Sequence, residues 1–316
     1  MKKYLLPEEG QFYKANLHCH STVSDGRLTS EELKEAYKKE GYSIIAFTDH
    51  DRCISHSHLT DENFLALTAF EIDISDTNEK DTDFTRCYHF NAYSKKEQPP
   101  FESLLPLPVY GDIEGINDFI QELNDSGFIV CYNHPNWSLQ TAYDYKDLKG
   151  IFAMEIYNHS AAHGGIDGNQ VIPYDTLLRE GNKIFCIAAD DNHDTYPIGH
   201  PENDSFGGFI MIKAGSLDYH TIIKALRAGG FYASMGPEIK ELHVEDARLF
   251  IKCSDVKSIC MTTAGRRTET EHAPKGATID SASFEILQKD KYVRIQITDN
   301  SGLRANTNSY FVEDIL

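Results

Sequence analysis

The chain has 316 residues, 41% of them hydrophobic and 25% charged, and a formal net charge of −19. These values exclude an intrinsically disordered chain as the main state, and the acidic balance disfavours binding to bulk nucleic acid or anionic lipid. No apolar run approaches the roughly 18–20 residues that cross a bilayer, and seven scattered cysteines without a CxxC pair favour a cytoplasmic protein.

Four stretches in the first two-thirds of the chain have the apolar periodicity and the end signals of helices. In the first of them Thr29 and Glu32 form a capping box, and Gly41 follows as a stop signal. The pattern predicts helices over residues 29–39, 112–126, 174–180 and 217–228.

Short apolar runs between these helices predict strands. They cover residues 15–17, 43–47, 64–70, 87–90, 128–132, 151–156, 183–188 and 209–212. Near-continuous apolar runs are typical of buried parallel strands, and seven or eight βα units indicate a barrel. An open doubly wound sheet is the alternative, although no glycine-rich phosphate loop follows the first strand. Residues 93–110, with four prolines, predict a long irregular loop.

The pattern changes after Gly236 and Pro237, where short strands follow one another without a helix pattern. The predicted strands cover residues 242–244, 249–252, 259–262, 284–287, 292–298 and 310–312. Val293, Ile295 and Ile297 alternate with polar residues, which is typical of a half-buried strand. We therefore predict an α/β domain over residues 1–236 and a small β-sandwich-like domain over residues 237–316.

Residue types that bind metals lie at the ends of the predicted strands. His18 and His20 are two positions apart, so an extended chain turns both imidazoles to one side. The other candidates are Asp25, His50, Glu71, His89, His134, Asp191 and His193. Six histidines and three carboxylates exceed the four ligands of one zinc and predict two or three ions. Glu71 is the natural bridge, because a carboxylate can hold two ions about 3.5–4 Å apart.

Other polar residues beside these positions have more than one interpretation. Asp49 and Asp51 flank His50, so one of them either orients a ligand imidazole or belongs to a solvated turn. Asn158 and His159 follow a predicted strand and are weaker candidates for substrate contact or proton donation.

Taken together, the motifs resemble the PHP (polymerase and histidinol phosphatase) family of metal-dependent phosphoesterases. The matching segments are Asn-Leu-His-Cys-His at 16–20, Ser-Asp-Gly at 24–26 and Phe-Thr-Asp-His-Asp at 47–51, followed in order by Glu71, His89, His134-Pro135 and the Asp-Asn-His of 191–193. The resemblance covers about residues 12–236 and implies a distorted (β/α)7 TIM-like barrel that hydrolyses phosphoesters with two or three metals.

The resemblance also implies how the ligands divide among the ions. The first ion takes His18, His20, Glu71 and Asp191, the second takes Glu71, His89 and His134, and the third takes Asp25, His50 and His193. Asp25 stands where some family members have histidine. Zn, Mn or Fe are the expected divalent ions, because imidazoles dominate the set. Glu71 and Asp191 are the expected catalytic residues, since they hold a metal-bridging hydroxide that attacks phosphorus.

These observations predict an enzyme that acts on a small phosphorylated substrate or a short oligonucleotide, without membrane contact or a stable nucleic-acid complex. The sequence lacks Gly-x-Ser-x-Gly and His-Glu-x-x-His, the motifs of other common hydrolases. Two alternatives stay open: a metal-stabilised binding or regulatory module without turnover, and an amidohydrolase-like enzyme that cleaves C–N or C–O bonds. Histidinol phosphate, nucleotides and oligonucleotides are all open as substrates, whether monoester or diester.

Overall fold

The computed structural model describes residues 2–100 and 105–316, and strands alternate with helices through its first two-thirds. The strands of this part are β1 (Lys3–Tyr4), β2 (Gln11–Asn16), β3 (Ile44–Phe47), β4 (Leu65–Ser75), β5 (Cys87–Ser94), β6 (Phe128–Tyr132), β7 (Ala153–Asn158), β8 (Phe185–Ala189), β9 (Phe209–Ala214) and β10 (Phe231–Ser234). The helices are α1 (Ser30–Lys39), α2 (Ile113–Asp125), α3 (Ala142–Tyr145), α4 (His159–His163), α5 (Val171–Arg179) and α6 (Tyr219–Arg227).

All four predicted helices are present, as α1, α2, α5 and α6. The capping box of α1 forms as expected, with the Thr29 hydroxyl accepting from the amide of Glu32. Helix α5 begins at Val171, ahead of its prediction, because Pro173 falls in the first turn, where no amide donor is needed. Helices α3 and α4 are too short to show a periodicity and were not predicted. No described helix combines the length and apolar character that crossing a membrane requires.

One large sheet runs through this part of the chain in the order β9-β2-β3-β4-β5-β6-β7-β8. The pairs within β2-β3-β4 and within β6-β7-β8 are parallel. Strand β5 is antiparallel to both β4 and β6, and β9 is antiparallel to β2, so the prediction of parallel strands is wrong there. An apolar run indicates that both faces of a strand are buried, and burial does not depend on strand direction.

The sheet formed by strands β2 to β8 curls, so that the segments following its edge strands β2 and β8 come together. Within the described residues, β2 and β8 are not paired, so the sheet does not close into a barrel. The amide of Asp191 donates to the carbonyl oxygen of His18 at 2.9 Å, and the amide of His20 donates to that of Asn192 at 3.1 Å. These bonds join the chain beyond β2 to the chain beyond β8. The sheet is open along its length and held together at the end that carries the predicted metal ligands.

The C-terminal part is rich in β structure, as predicted. Its elements are β11 (Ile239–Glu245), β12 (Arg248–Val256), β13 (Ser258–Thr263), β14 (Thr268–His272), β15 (Ile279–Glu285), β16 (Tyr292–Thr298), β17 (Arg304–Thr307), β18 (Tyr310–Phe311) and helix α7 (Val312–Ile315). Strands β1, β11, β12 and β15 form a separate four-stranded sheet, and the others extend the large sheet beyond β10. Leu242 and Ile251 of the small sheet share one apolar cluster with Ile259 and Ile295 of the large one.

Some details of this part differ from the sequence-based expectations. Helix α7 was not predicted, and it takes Val312 from the end of a predicted strand. Strand β14 was missed because its sequence is polar throughout and mostly exposed, so it has no apolar alternation. Strand β1 pairs with β11, which places the start of the chain on the C-terminal sheet. The domain boundary at residue 236 stays a prediction.

The predicted irregular loop over residues 93–110 begins later than expected, because β5 continues to Ser94. Residues 95–100 and 105–110 contain no helix or strand, and residues 101–104 lie outside the described part of the chain.

Candidate metal centre

The structure brings all nine sequence-predicted site residues together at one end of the large sheet. His18, His20, His50, His134, Asp191 and His193 follow strands β2, β3, β6 and β8; Glu71 and His89 lie within β4 and β5; and Asp25 lies in the turn after β2. Their potential ligand atoms approach within 4.8 Å of one another in three overlapping groups, and two further groups combine His18 and His134 with Glu155, and His89 with Asp73 and Cys87. The three overlapping groups are His18, His20, Glu71 and Asp191; Glu71, His89 and His134; and His20, Asp25, His50 and His193.

Glu71 lies at the centre of the cluster and is fully buried. Its Oε1 is 3.2 Å from Nε2 of His18 and 3.0 Å from Nδ1 of His89. The same oxygen is 3.4 Å from Nε2 of His134, and Oε2 is 3.3 Å from Nε2 of His20. Each oxygen of one carboxylate therefore faces a different set of imidazoles, which is the position that a bridging ligand needs.

Asp191 is the member of the Asp190-Asp191 pair that faces the cluster. Its Oδ1 lies 3.0 Å from Nε2 of His18. The backbone of Asp191 has a φ of 57°, in the left-handed region, and this turns neighbouring carboxylates in different directions. The carboxylate of Asp190 accepts bonds from the amides of Gly207 and Gly208, at 2.8 and 2.7 Å, and takes no part in the three groups.

The third group is the most open part of the cluster. Oδ2 of Asp25 lies 3.4 Å from Nε2 of His193 and 3.8 Å from Nε2 of His50, and the Asp25 side chain is 52% exposed. The structure adds His20 to this group, since its Nδ1 lies 3.5 Å from Oδ1 of Asp25. The ring of His20 therefore stands between the third group and Glu71.

Charge balance holds the cluster together. Burial alone raises the pKa of Glu71, but the imidazoles of His18 and His89 outweigh it and hold that pKa well below its usual range. Burial lowers the pKa of His193, whereas Asp25 and Asp191 raise it, with a net value of about 9. The neighbouring carboxylates likewise raise the pKa values of His18 and His89, so protons on these three imidazoles balance carboxylate charge. A divalent cation can replace such protons.

The cluster suits divalent cations, because several of its potential ligand atoms make no hydrogen bond in the part of the chain that the structure describes. Oε2 of Glu71, Nε2 of His134 and Nδ1 of His20 are buried and make no hydrogen bond among the described residues. Buried polar atoms in folded proteins usually have partners, so three unpartnered atoms in one cluster indicate that a further group belongs there. Imidazole nitrogens and carboxylate oxygens together suit zinc, manganese or iron.

Glu155 is a buried member of the cluster that the sequence analysis missed. Its Oε1 is 2.7 Å from Nδ1 of His18, and its Oε2 accepts bonds from the amide of His134 at 3.1 Å and from the side chain of Asn158 at 2.9 Å. A carboxylate on the far nitrogen of a ligand histidine fixes its tautomer and orientation. A glutamate within the apolar run of residues 151–156 was the available signal, since buried carboxylates need partners.

Three of the four polar residues with more than one interpretation make contacts that decide between them, and the fourth, Asp51, is exposed. Asp49 is buried and accepts bonds from the amide of Ser21 at 2.8 Å and the hydroxyl of Ser24 at 2.9 Å, so it holds the turn before Asp25. Within residues 2–100 and 105–316 it makes no hydrogen bond to an imidazole. Asn158 joins the cluster, whereas His159 lies outside the three groups and hydrogen bonds with the Tyr157 hydroxyl at 2.8 Å.

Trp137 forms one wall of the centre, and the sequence analysis did not single it out. Its ring centroid lies 5.5 Å from that of His89 and 5.2 Å from that of His134, and 46% of the residue is exposed. It is the single tryptophan of the chain, so its fluorescence arises beside two candidate ligands.

The family model for the PHP domain matches residues 16–196, which is 181 of the 316 residues and more than half of the chain. The chain belongs to the PHP domain family. The matched range includes all nine candidate ligands and Glu155. This PHP protein is also similar to the DNA polymerase/3'-5' exonuclease PolX of Bacillus subtilis, with 41% identity over 68 residues. That match covers 22% of the chain and 12% of PolX, so the chain spans about an eighth of that relative.

A comparison with solved structures found two that are similar to this PHP protein at low sequence identity. One is a two-domain protein from Bacteroides vulgatus that contains a predicted PHP-like metal-dependent phosphoesterase, with 15% identity, a TM-score of 0.49 and coverage of 97% of this chain and 98% of that one. The other, from Bifidobacterium adolescentis, is provisionally described as a metal-dependent phosphoesterase, with 16% identity, a TM-score of 0.39 and coverage of 63% and 93%.

Proposed function

We propose that this PHP protein is a metal-dependent hydrolase of phosphoester bonds. The observation that carries the proposal is the environment of Glu71, a buried carboxylate whose two oxygens face five imidazoles at 3.0–3.4 Å. The imidazoles belong to His18, His20, His50, His89 and His134. One carboxylate among so many imidazole nitrogens suits a shared ligand of two neighbouring cations. Membership of the PHP domain family supports a phosphoester as the bond that is cleaved.

The proposed ligand sets follow the three groups of the cluster. Glu71 would be shared by two ions, one also held by His18, His20 and Asp191 and the other by His89 and His134. A third ion would be held by Asp25, His50 and His193. Zinc, manganese or iron are the proposed metals. We also propose that the curled sheet is a distorted (β/α)7 barrel, open between β2 and β8, because such a barrel gathers the ends of its strands at one face.

The chain's own residues orient and shield the reaction. Divalent ions held by these residues would supply a water molecule of lowered pKa as the nucleophile and positive charge beside the phosphate oxygens. Glu155 accepts a bond from Nδ1 of His18 and thereby turns Nε2 toward the cluster. Asn158 donates to Oδ2 of Asp191 at 3.1 Å and fixes that carboxylate. Phosphoryl transfer to water needs positioning and charge stabilisation more than a side-chain nucleophile.

The substrate side of the centre is its exposed third group. The side chains of Asp25, His50 and His193 are 52%, 28% and 28% exposed, whereas those of His18 and His20 are fully buried. A phosphate therefore approaches past the third group, with Trp137 on another side. We propose a small phosphorylated molecule or a short oligonucleotide as substrate, since a net charge of −19 disfavours a long-lived complex with nucleic acid.

The test is single-turnover hydrolysis of aryl phosphomonoesters and phosphodiesters in ¹⁸O-labelled water. In the first turnover we expect the label in the phosphate released from a monoester, or in the phosphomonoester released from a diester. Activity should be lost on chelation and recover with added Zn²⁺, Mn²⁺ or Fe²⁺. Glu71→Gln should lose metal and turnover together, while Glu122→Gln, which removes the same charge from an exposed position on α2, should keep both. A trapped phosphoryl-enzyme, or metal binding without turnover on the whole panel, would reject the proposal.

A further inference from the structure

A cavity of about 750 Å³ lies between the end of α5 and the C-terminal strands. It is lined by Arg179 and Lys183, at the end of α5 and just beyond it, and by Lys289, Lys291 and Phe311 of the C-terminal part. Nζ of Lys183 lies 5.2 Å from the centroid of the Phe311 ring. None of its lining residues belongs to the candidate metal groups. Its volume lies within the range of about 300–1,000 Å³ that is typical of small-molecule sites.

The rim of this cavity is basic in a protein that is strongly acidic overall. Four basic side chains line it against one acidic side chain, that of Glu313, while the whole chain has a net charge of −19. Glu313 pairs with Lys183 at 2.7 Å. Across the described residues 2–100 and 105–316, no acidic side chain pairs with the other three, Arg179, Lys289 and Lys291. Their charges are available to an anion.

The carboxylate of Asp290, which lies between Lys289 and Lys291 in the sequence, does not neutralise these two lysines. Asp290 is buried, and its Oδ2 accepts from the Arg267 guanidinium at 2.6 Å and from the amide of Leu287 at 2.8 Å. Lys291 has φ 61° and ψ −54°, a conformation unfavourable for a residue with a side chain. Strained residues of this kind concentrate where a chain binds a ligand. The loop thus keeps Asp290 inside while both lysines reach the cavity.

The floor of the cavity is apolar and aromatic. Leu178 and Val312 line it together with Tyr292, whose ring is buried, and Phe311, whose ring lies 5.8 Å from that of Tyr292. Such a floor suits a flat or apolar group, and it offers little to a free inorganic anion. The cavity therefore combines two chemistries: cations at the rim and aromatic rings below.

We propose that this cavity binds a small phosphorylated molecule that carries a flat apolar body. The phosphate lies among Arg179, Lys289 and Lys291, where guanidinium and ammonium groups supply charge-assisted hydrogen bonds. The apolar body lies against the half-buried ring of Phe311, which itself packs on the buried ring of Tyr292. This binding site is separate from the metal centre and does not depend on the proposed hydrolytic function.

The experiment measures binding of 8-anilinonaphthalene-1-sulfonate, an aromatic anion that fluoresces in apolar sites, to the full-length protein with its metals. We expect saturable binding that weakens as salt is added, because salt screens the basic rim. Phenylphosphonate should displace the dye, whereas benzyl alcohol, which has a similar ring without the anion, should not. Equal displacement by both compounds, or no saturation at 1 mM dye, would overturn the proposal.

Variants assign the binding to this cavity. The double variant Lys289→Ala/Lys291→Ala should weaken dye binding by about tenfold or more, since two charge-assisted contacts are lost. The control Lys257→Ala/Lys275→Ala removes the same charge from exposed positions of the C-terminal part and should leave binding unchanged. Unfolding curves establish that each variant is folded. Glu71→Gln should also retain binding, and loss of binding in that variant would place the dye at the metal centre and overturn the assignment.

Discussion

At the scale of single residues, the metal centre depends on carboxylates that orient its imidazoles. Glu155 is fully buried and touches His18 on the nitrogen that faces away from Glu71. The same side chain accepts from the amide of His134, so it fixes two of the candidate ligands. Its role is positioning, because the imidazole of His18 stands between it and Glu71.

Replacing Glu155 should weaken metal binding without removing any of the nine predicted ligands. Glu155→Gln keeps the volume but loses the charge-assisted bond to His18, and we expect metal affinity to fall about 10–100-fold. Calorimetric titration with Zn²⁺ or Mn²⁺ measures this, with Glu180→Gln, an exposed change beyond α5, as the matched control. Activity should largely return at saturating metal. An unchanged metal affinity in Glu155→Gln would show that Glu155 does not position the metal ligands.

His159 should contribute to the dependence of stability on pH. Burial, with the nearby charge of His163, lowers the pKa of His159 to about 4, against about 6.5 in an unfolded chain. The folded protein therefore favours the neutral ring, and the stability that this ring contributes is complete above pH 6.5 and is lost as pH falls toward 4.

The predicted result is a smaller loss of melting temperature between pH 6.5 and 4 in His159→Gln than in the native protein. Metal-free samples are compared, so that both proteins have the same cluster of candidate ligands. His220→Gln changes an exposed histidine and should follow the native curve. Parallel curves for His159→Gln and the native protein would show that His159 does not titrate differently on unfolding.

At the scale of elements, a buried ion pair joins helix α5 to strand β16. Nε and Nη2 of Arg294 donate to the two carboxylate oxygens of Asp175 at 3.0 and 2.9 Å, and both residues are at most 6% exposed. The hydroxyl of Tyr292 donates to the same carboxylate at 3.2 Å. A second contact between these two parts of the chain is made by the amide of Cys186 in β8, which donates to the side chain of Asn308, just beyond β17, at 3.0 Å.

Breaking this ion pair on one side should destabilise the protein strongly. Arg294→Met leaves the Asp175 carboxylate buried without its cation, and we expect a loss of about 3–5 kcal/mol in the free energy of unfolding. Adding Asp175→Leu should recover much of that loss, because no charge then remains buried. Urea denaturation measures both variants, with Arg266→Met, an exposed change in the same part of the chain, as the control. If Arg294→Met and the native protein had equal free energies of unfolding, the ion pair would not hold these elements together.

At the scale of the whole molecule, the candidate centre lies where the first and last strands of the curled sheet meet. His18 and His20 follow β2, and Asp191 and His193 follow β8. The backbone bonds between these two segments are few, so ions held by both segments would add a second connection between the ends of the sheet. Metal binding is therefore expected to affect global stability as well as activity.

Metal removal should lower the melting temperature reversibly. A ligand at 100 times its dissociation constant stabilises the folded state by about 2.7 kcal/mol, so chelation should remove a stabilisation of this order. Trp137 supplies an independent signal, because Mn²⁺ bound by His89 and His134 should quench its fluorescence. Trp137→Phe should lose the optical signal and keep the thermal shift. A melting temperature unaffected by chelation and metal addition would contradict this.

The sequence by itself determined what depends on neighbours along the chain. The capping box of Thr29 and Glu32 and the apolar periodicity located α1, α2 and α6 within two residues at each end. Metal-binding residue types at successive strand ends identified the nine residues that the structure then groups together. These features can be predicted from the sequence because helix ends and strand burial depend on residues that are a few positions apart.

The tertiary structure decided what depends on distant pairing. The direction of β5, the open edge of the curled sheet and the pairing of β1 with β11 all come from contacts between segments far apart in sequence. Glu155 is 137 positions from His18, so no local pattern could reveal that they touch. The same holds for the Asp175–Arg294 pair, 119 positions apart. Polar burial is visible in a sequence, but the partner that satisfies it is fixed only when the whole chain packs.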